Sequence, residues 1–269
     1  MTNPITERIA QHYSELTQGN RRLADYLLVN PDKILMLSTN EIAEACDVSK
    51  ASVSRFIRKL GYQDHISLRN ELLEERDKGT PMALSNEVEV DFSSEIRALE
   101  SLLDHIQESD MGAITERLSH SARIKIIGYR NSYPVAMHFR QQLVQGRPGV
   151  ELLPLPGQTI GEDIASIGED DFVVVIGIRR RVKGFESLLS ALPQQRTLLI
   201  TDQTGLKFKP LVAHTLICPM SNSSPLDSYA VPMALISYLS NRVFNHLGKQ
   251  AVENTEFVAQ TYTQLGEIE

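Results

Sequence analysis

Residues 37–61, LSTNEIAEACDVSKASVSRFIRKLG, constrain this chain more than any other stretch. Thr39 or Asn40 can cap a short helix ending near Cys46, because a side-chain oxygen there accepts a first-turn N–H that has no partner inside the helix. Asp47 tolerates left-handed backbone, and Val48 is an apolar plug. Ser49 can cap a second helix, in which Val53, Phe56, Ile57 and Leu60 recur at helical spacing and face inward. Gly61 stops it. Two short helices joined by a tight, plugged turn make a helix-turn-helix. The second helix, 50–60, opens with small polar residues followed by Arg55. Small residues let a helix sit deep in a major groove, and polar ones meet base edges and phosphates. The candidate DNA contacts are Thr39, Ser49, Lys50, Ala51, Ser52, Ser54, Arg55, Arg58 and Lys59.

The net charge of −7 argues at first against a nucleic-acid partner. Its distribution reverses that reading. Residues 48–70 carry Lys50, Arg55, Arg58, Lys59 and Arg69 against Asp64 alone. Phosphate contacts act over about a Debye length, so a local basic stripe suffices, and the acidic remainder repels DNA and orients the basic face toward it. The 269 residues are ordinary in apolar (42%) and charged (23%) content, enough for a small domain beside a medium one. No N-terminal apolar run marks a signal peptide, and the longest apolar stretch, 172–178, is far below the ~20 residues of a membrane helix. Cys46 and Cys218 are read as two buried free thiols of a reducing cytoplasm. No metal-ligand spacing and no cofactor motif is read, so a cytoplasmic protein with no cofactor, no metal and no membrane contact is expected.

Along the chain, 5–29 reads as amphipathic helix broken at Gly19-Asn20, closed by Asn30-Pro31 and followed by a short helix over 31–36. Residues 66–78 form a further helix with Leu68, Leu72 and Leu73 on one side. This gives an all-α N-terminal domain over 1–78 and a linker over 79–92, which starts at Gly79-Thr80-Pro81. From Ser93 helical runs alternate with β-branched strands at 123–127, 150–154, 172–178, 197–201 and 215–218. Such alternation predicts a parallel sheet flanked by helices, a flavodoxin-like α/β layout, over 93–248. A long helix over 227–247 and a helical tail within 249–269 complete it.

The chain resembles the RpiR family of bacterial regulators, which pair a helix-turn-helix domain with a sugar isomerase (SIS) domain. The segment Val48-Ser49 through Arg55-Phe56-Ile57-Arg58-Lys59-Leu60-Gly61 is similar to the family's VS.aTV.RF..KLG. The resemblance implies a homodimer or homotetramer on an operator, as a repressor or an activator, with a metabolite bound by the second domain. That domain departs from its pattern. Where SIS domains carry G-x-G-x-S, this sequence has Gly128-Tyr129-Arg130-Asn131-Ser132. Where they carry S-x-S-G-x-T, it has Gly177-Ile178-Arg179-Arg180-Arg181-Val182-Lys183, which resembles an Arg-rich branch of the family.

Ligands of open α/β sheets bind at the carboxyl ends of the strands, and guanidinium groups hold carboxylate or phosphate through paired hydrogen bonds. The expected effector is therefore anionic, a phosphorylated sugar or a carboxylate, held among Arg130, Asn131, Ser132, Arg179, Arg180, Arg181 and Lys183, with Ser223 in the polar loop 221–225 closing over it. The same arginines could instead pair with the domain's own carboxylates at a dimer interface, or simply face solvent. Two other functions stay open. A SIS-type phosphosugar isomerase would need a general base, for which His138, Glu162 and His214 are the candidates; none sits in a motif, and no enzyme is expected. The second domain could also dimerise without a ligand.

Overall fold

The computed structural model describes residues 4–29, 34, 37–78, 92–107, 109–220 and 226–268. They fall into a helical unit and an α/β unit that begins at Phe92. Residues 79–91, almost all of the expected linker, lie outside the described residues, as do 30–33, 35–36 and the loop 221–225 with Ser223.

The helical unit comprises α1 (Pro4–His12), a 3-10 turn (Tyr13–Glu15), α2 (Gln18–Val29), α3 (Thr39–Ala45), α4 (Lys50–Lys59) and α5 (His65–Lys78). Ile9, Leu23, Leu27, Ile42, Phe56, Ile57 and Leu68 meet in its core. The break in the first helical stretch falls at Leu16 and Thr17, not at Gly19-Asn20, which lie inside α2. Thr17 decides this. Its hydroxyl accepts from the Asn20 N–H and its carbonyl from the Arg21 N–H, so an N-cap outweighs the weak helix propensity of Gly-Asn.

The α/β unit is built on five strands: β1 (Ile124–Gly128), β2 (Val150–Leu153), β3 (Phe172–Gly177), β4 (Thr197–Thr201) and β5 (His214–Ile217). All neighbours pair in parallel, in the order β2-β1-β3-β4-β5. Every residue of β3 and β4 is buried, as expected of a sheet covered on both faces. The period-2 alternation divides their side chains. Ile124, Ile126, Val174 and Leu198 join a core with α6 (Ser93–Gln107), α7 (Met111–His120), α8 (Ser132–Gly146) and α11 (Ala230–Leu247). Ile127, Val173, Val175 and Leu199 join the core on the other face, which includes α10 (Phe185–Ala191). The short α9 (Gly161–Ala165) precedes β3.

Helix α12 (Lys249–Leu265) follows Gly248 directly. Asn254 donates to the Val144 and Gln145 carbonyls, which docks α12 on the end of α8. Arg147, itself buried, donates to the Leu118, Ser119, Ser121 and Ala122 carbonyls and so satisfies the carboxyl end of α7. Cys46 and Cys218 are free and buried. Among the described residues no helix is long and apolar enough to cross a membrane.

Candidate nucleic-acid interface and anion cleft

In the helical unit the second helix of the motif, α4, stands on a built turn. Asp47 takes φ +49°, and its carboxylate is held by Arg22 at 3.0 Å. Ser49 caps α4, its hydroxyl accepting from the Ser52 N–H at 3.1 Å. Gly61, at φ +90°, ends it. Val53, Phe56, Ile57 and Leu60 are 1% exposed or less. Burying each stabilises the unit by about 1.5–3 kcal/mol, which holds α4 in one orientation. The opposite face therefore carries Lys50, Ala51, Arg55 and Arg58, all exposed.

The preceding helix, α3, is capped by Ser38 rather than by Thr39 or Asn40. Ser38 Oγ accepts from the Glu41 N–H, and the Glu41 carboxylate accepts from the Ser38 N–H at 2.7 Å. This reciprocal capping box starts the helix one residue earlier than expected. The backbone bond from Ser38 also holds the Glu41 carboxyl below its ordinary pKa.

Thr39, Ser54 and Arg58 line one cavity of about 540 Å³ together with Ser38, His65 and Arg69, which the sequence motif did not single out. The same cavity is also lined by the Glu41 and Asp64 carboxylates, so its two guanidinium groups are offset by two negative charges. His65 faces it as a neutral imidazole, since burial, and after it Arg69, lowers its pKa. Lys59 is placed differently. Its ammonium donates to the Glu15 carbonyl at 2.8 Å, so it ties α4 to the 3-10 turn. Ser52 is half-buried and shares a 2.9 Å hydrogen bond with Ser49.

In the α/β unit the strand order reverses between β1 and β3, which makes the crevice beyond their carboxyl ends the topological switch point. The residue that follows each strand by two positions is an arginine in left-handed backbone: Arg130 at φ +53° after β1, and Arg179 at φ +61° after β3. This conformation disfavours a side chain with Cβ by roughly 1–2 kcal/mol, so a pair of them flanking a crevice is a pointer to function. Gly128 ends β1 because α8 comes too close for a side chain: a Cβ there would sit 2.8 Å from Ala136 Cβ and from the Ser132 carbonyl oxygen. Arg130, Asn131, Arg180 and Lys183 are exposed around this crevice, and Arg179 is half-buried.

Two residues expected to touch a ligand also have partners within the unit. Ser132 is buried, and its hydroxyl accepts from the Ile178 N–H at 3.1 Å, which joins the two switch-point turns. Arg181 donates to Thr204 Oγ1, Thr201 Oγ1 and the Asp202 carboxylate at 2.8, 2.7 and 3.2 Å. It also lies over the Phe185 and Phe208 rings. Asp202 accepts from the Arg179 and Thr204 N–H groups as well. Arg181 and Asp202 thus brace the arginine loop from within, and Asp202 is a site residue that sequence spacing did not reveal.

The three candidate bases do not converge. His214 opens β5, at the amino edge of the sheet and opposite the crevice, where burial lowers its pKa. Glu162 accepts from the Thr159 hydroxyl in the first turn of α9, and His138 is half-buried in the middle of α8.

Residues 3–79 match the family described as "Helix-turn-helix domain, rpiR family". The helical unit is thus similar to the rpiR-family helix-turn-helix domain. Among curated relatives, the helix-turn-helix-type transcriptional regulator YfhH of Escherichia coli is 28% identical over 151 residues, covering 51% of this chain and 54% of that protein. The bifunctional protein glk of Burkholderia thailandensis is 27% identical over 185 residues, covering 65% of this chain and 28% of that protein. The chain thus spans about half the length, or less, of these relatives. Among solved structures, NanR of Vibrio vulnificus, complexed with ManNAc-6P, has a TM-score of 0.58 at 17% identity, covering 97% of this chain and 98% of that one. The sugar isomerase domain of an RpiR transcription factor from Sphaerobacter thermophilus has a TM-score of 0.55 at 17% identity, covering 63% of this chain and 96% of that one. Residues 3–79 therefore resemble the rpiR-family helix-turn-helix domain, and the α/β unit shares the fold of these two solved structures.

Proposed function

We propose that this chain is a transcriptional regulator that binds double-stranded operator DNA through α4 and responds to an anionic metabolite, a phosphorylated sugar or a carboxylate, at the β1/β3 crevice. The observation that carries the reading is the pair of left-handed arginines, Arg130 and Arg179, at the switch point of a chain whose other unit exposes Lys50, Arg55 and Arg58 on one helix face. The sugar phosphate in the NanR complex, a protein of the same architecture, supports an anion of this class. In this reading Arg130, Asn131, Arg179, Arg180 and Lys183 face the ligand, and Ser132 and Arg181 shape its wall. The chain acts as a homodimer or homotetramer in the bacterial cytoplasm, pairing two helix-turn-helix units on a near-palindromic site. A ligand changes operator binding only if it favours one arrangement of those units over another.

The test uses the full chain. An operator is selected from random or genomic DNA, and binding is followed by fluorescence anisotropy during titration with a panel of sugar phosphates and carboxylates. A match shifts the operator affinity, and the shift disappears in an R130A/R180A variant that still binds DNA. A regulator whose affinity no anion alters lacks the proposed sensing function, and failure to select any DNA removes the regulator reading altogether.

A further inference from the structure

Helices α7 and α11 both end at one point on the surface of the α/β unit, away from the crevice, and three metal-ligating side chains meet there. Glu116 and His120 stand one turn apart on α7. His246 comes from the last turn of α11. The Glu116 carboxylate lies between the two rings, with Oε1 3.2 Å from His120 Nδ1 and Oε2 3.0 Å from His246 Nε2. One ligand atom from each of the three falls within 4.8 Å of the others.

We propose that Glu116, His120 and His246 form a binding site for a divalent transition-metal ion of the zinc class. The donor set is the first reason. Two imidazole nitrogens and a carboxylate suit a borderline ion with a vacant position for water or an anion, whereas calcium and magnesium ask for six or more oxygens. The spacing is the second. Bonds of ~2.0–2.1 Å in a tetrahedron put neighbouring ligand atoms about 3.4 Å apart; the two imidazole nitrogens lie 3.2 and 3.0 Å from the two different oxygens of the Glu116 carboxylate, and one ligand atom from each residue falls within 4.8 Å of the others. The field is the third reason. His120 and His246 both sit in the last turns of their helices, so the negative ends of two helix dipoles converge on the ion. Arg242, one turn earlier on α11, directs its guanidinium to Thr115 and Tyr238. A bound ion would clamp α7, which leads into β1, against α11.

Tag-free full-length protein is titrated with Co²⁺, followed by its visible d–d absorption, and the Co²⁺ is then displaced with Zn²⁺. The side chains of the trio are 41–59% exposed, so alanine replacements leave the core intact, which thermal unfolding without metal verifies. One Co²⁺ per chain is expected, displaced by Zn²⁺, with affinity reduced at least about tenfold in H120A and in H246A, since loss of even an outer-shell partner has an effect of that size. H138A, altered elsewhere on the unit, binds as the unaltered chain does. The site is refuted if an H120A/H246A variant keeps the same spectrum and affinity, or if no saturation is reached at millimolar metal. Neither result depends on DNA or effector, so it stands apart from the regulator reading.

Discussion

The Asp202 carboxylate and the Arg181 guanidinium form a buried ion pair at 3.2 Å, their side chains 1% and 7% exposed. Asp202 holds more than its partner. It also accepts from the backbone N–H groups of Arg179 and Thr204, and so fixes the turn that carries the arginine cluster. Removing one member of a buried pair leaves the other as an uncompensated charge, which destabilises by roughly 3–5 kcal/mol. D202A is expected to lose stability in that range in urea unfolding, and to lose any effector response with it. A change below about 1 kcal/mol would show that the turn is held by other contacts.

The outward face of α4 separates contact from scaffold. K50A and R55A are expected to weaken operator binding by about tenfold or more each, because a good base contact is worth ~1–3 kcal/mol. If either side chain meets phosphate instead, its loss lowers the slope of log affinity against log salt by about one. K59A is the contrast. Its ammonium is bonded to the Glu15 carbonyl, so unfolding should register the change while the salt slope stays the same. An unchanged footprint for K50A and R55A would move the reading surface off this helix.

Gly61 is required by its backbone, and a side chain there would also push on the mobile end of Arg8. Its φ of +90° disfavours a side chain, and a Cβ would approach Arg8 Nη1 to 2.9 Å. Arg8 donates from that nitrogen to the Leu60 carbonyl and lies over the Tyr62 ring at 4.7 Å, tying α1 to the end of α4. G61A is expected to destabilise the helical unit by about 1–2 kcal/mol, read as a shifted unfolding midpoint with unchanged slope against denaturant.

Stability should fall on acidification below neutrality. Burial depresses the pKa of His65, with Arg69 adding to it, and burial depresses that of His214. Each imidazole therefore takes up a proton in the unfolded chain near its ordinary value of about 6.5 while the folded chain stays neutral to lower pH. The unfolded state then binds more protons, so stability is complete above that value and is lost as pH drops through it. H65Q and H214Q should each flatten the decline in unfolding free energy between pH 7 and 5. An unaltered slope in both would assign the acid sensitivity to other groups.

Features that rest on a few adjacent residues are legible in the sequence. Ser49, the Val53–Phe56–Ile57–Leu60 spacing and Gly61 define α4 by capping, amphipathicity and a left-handed stop, all local effects. The β-branched runs place the five strands to within two residues, because a strand buried on both faces reads as continuous apolar sequence. Local rules are weaker where two signals compete. Thr17 as a cap outweighs Gly19-Asn20 as a break, and Ser38 with Glu41 outweighs Thr39.

The sequence by itself determined the helix-turn-helix, the parallel α/β class and the exceptional arginines after β1 and β3, since these follow from residue type and spacing within one element. Only the tertiary structure decided which cations face outward. Lys59 meets Glu15 across 44 residues and Arg181 meets Asp202 across 21, and His246 reaches Glu116 across 130. No periodicity links such pairs. Packing of separate elements brings them together, and the energy of leaving a charge or a polar group buried without a partner then makes these pairs brace the fold.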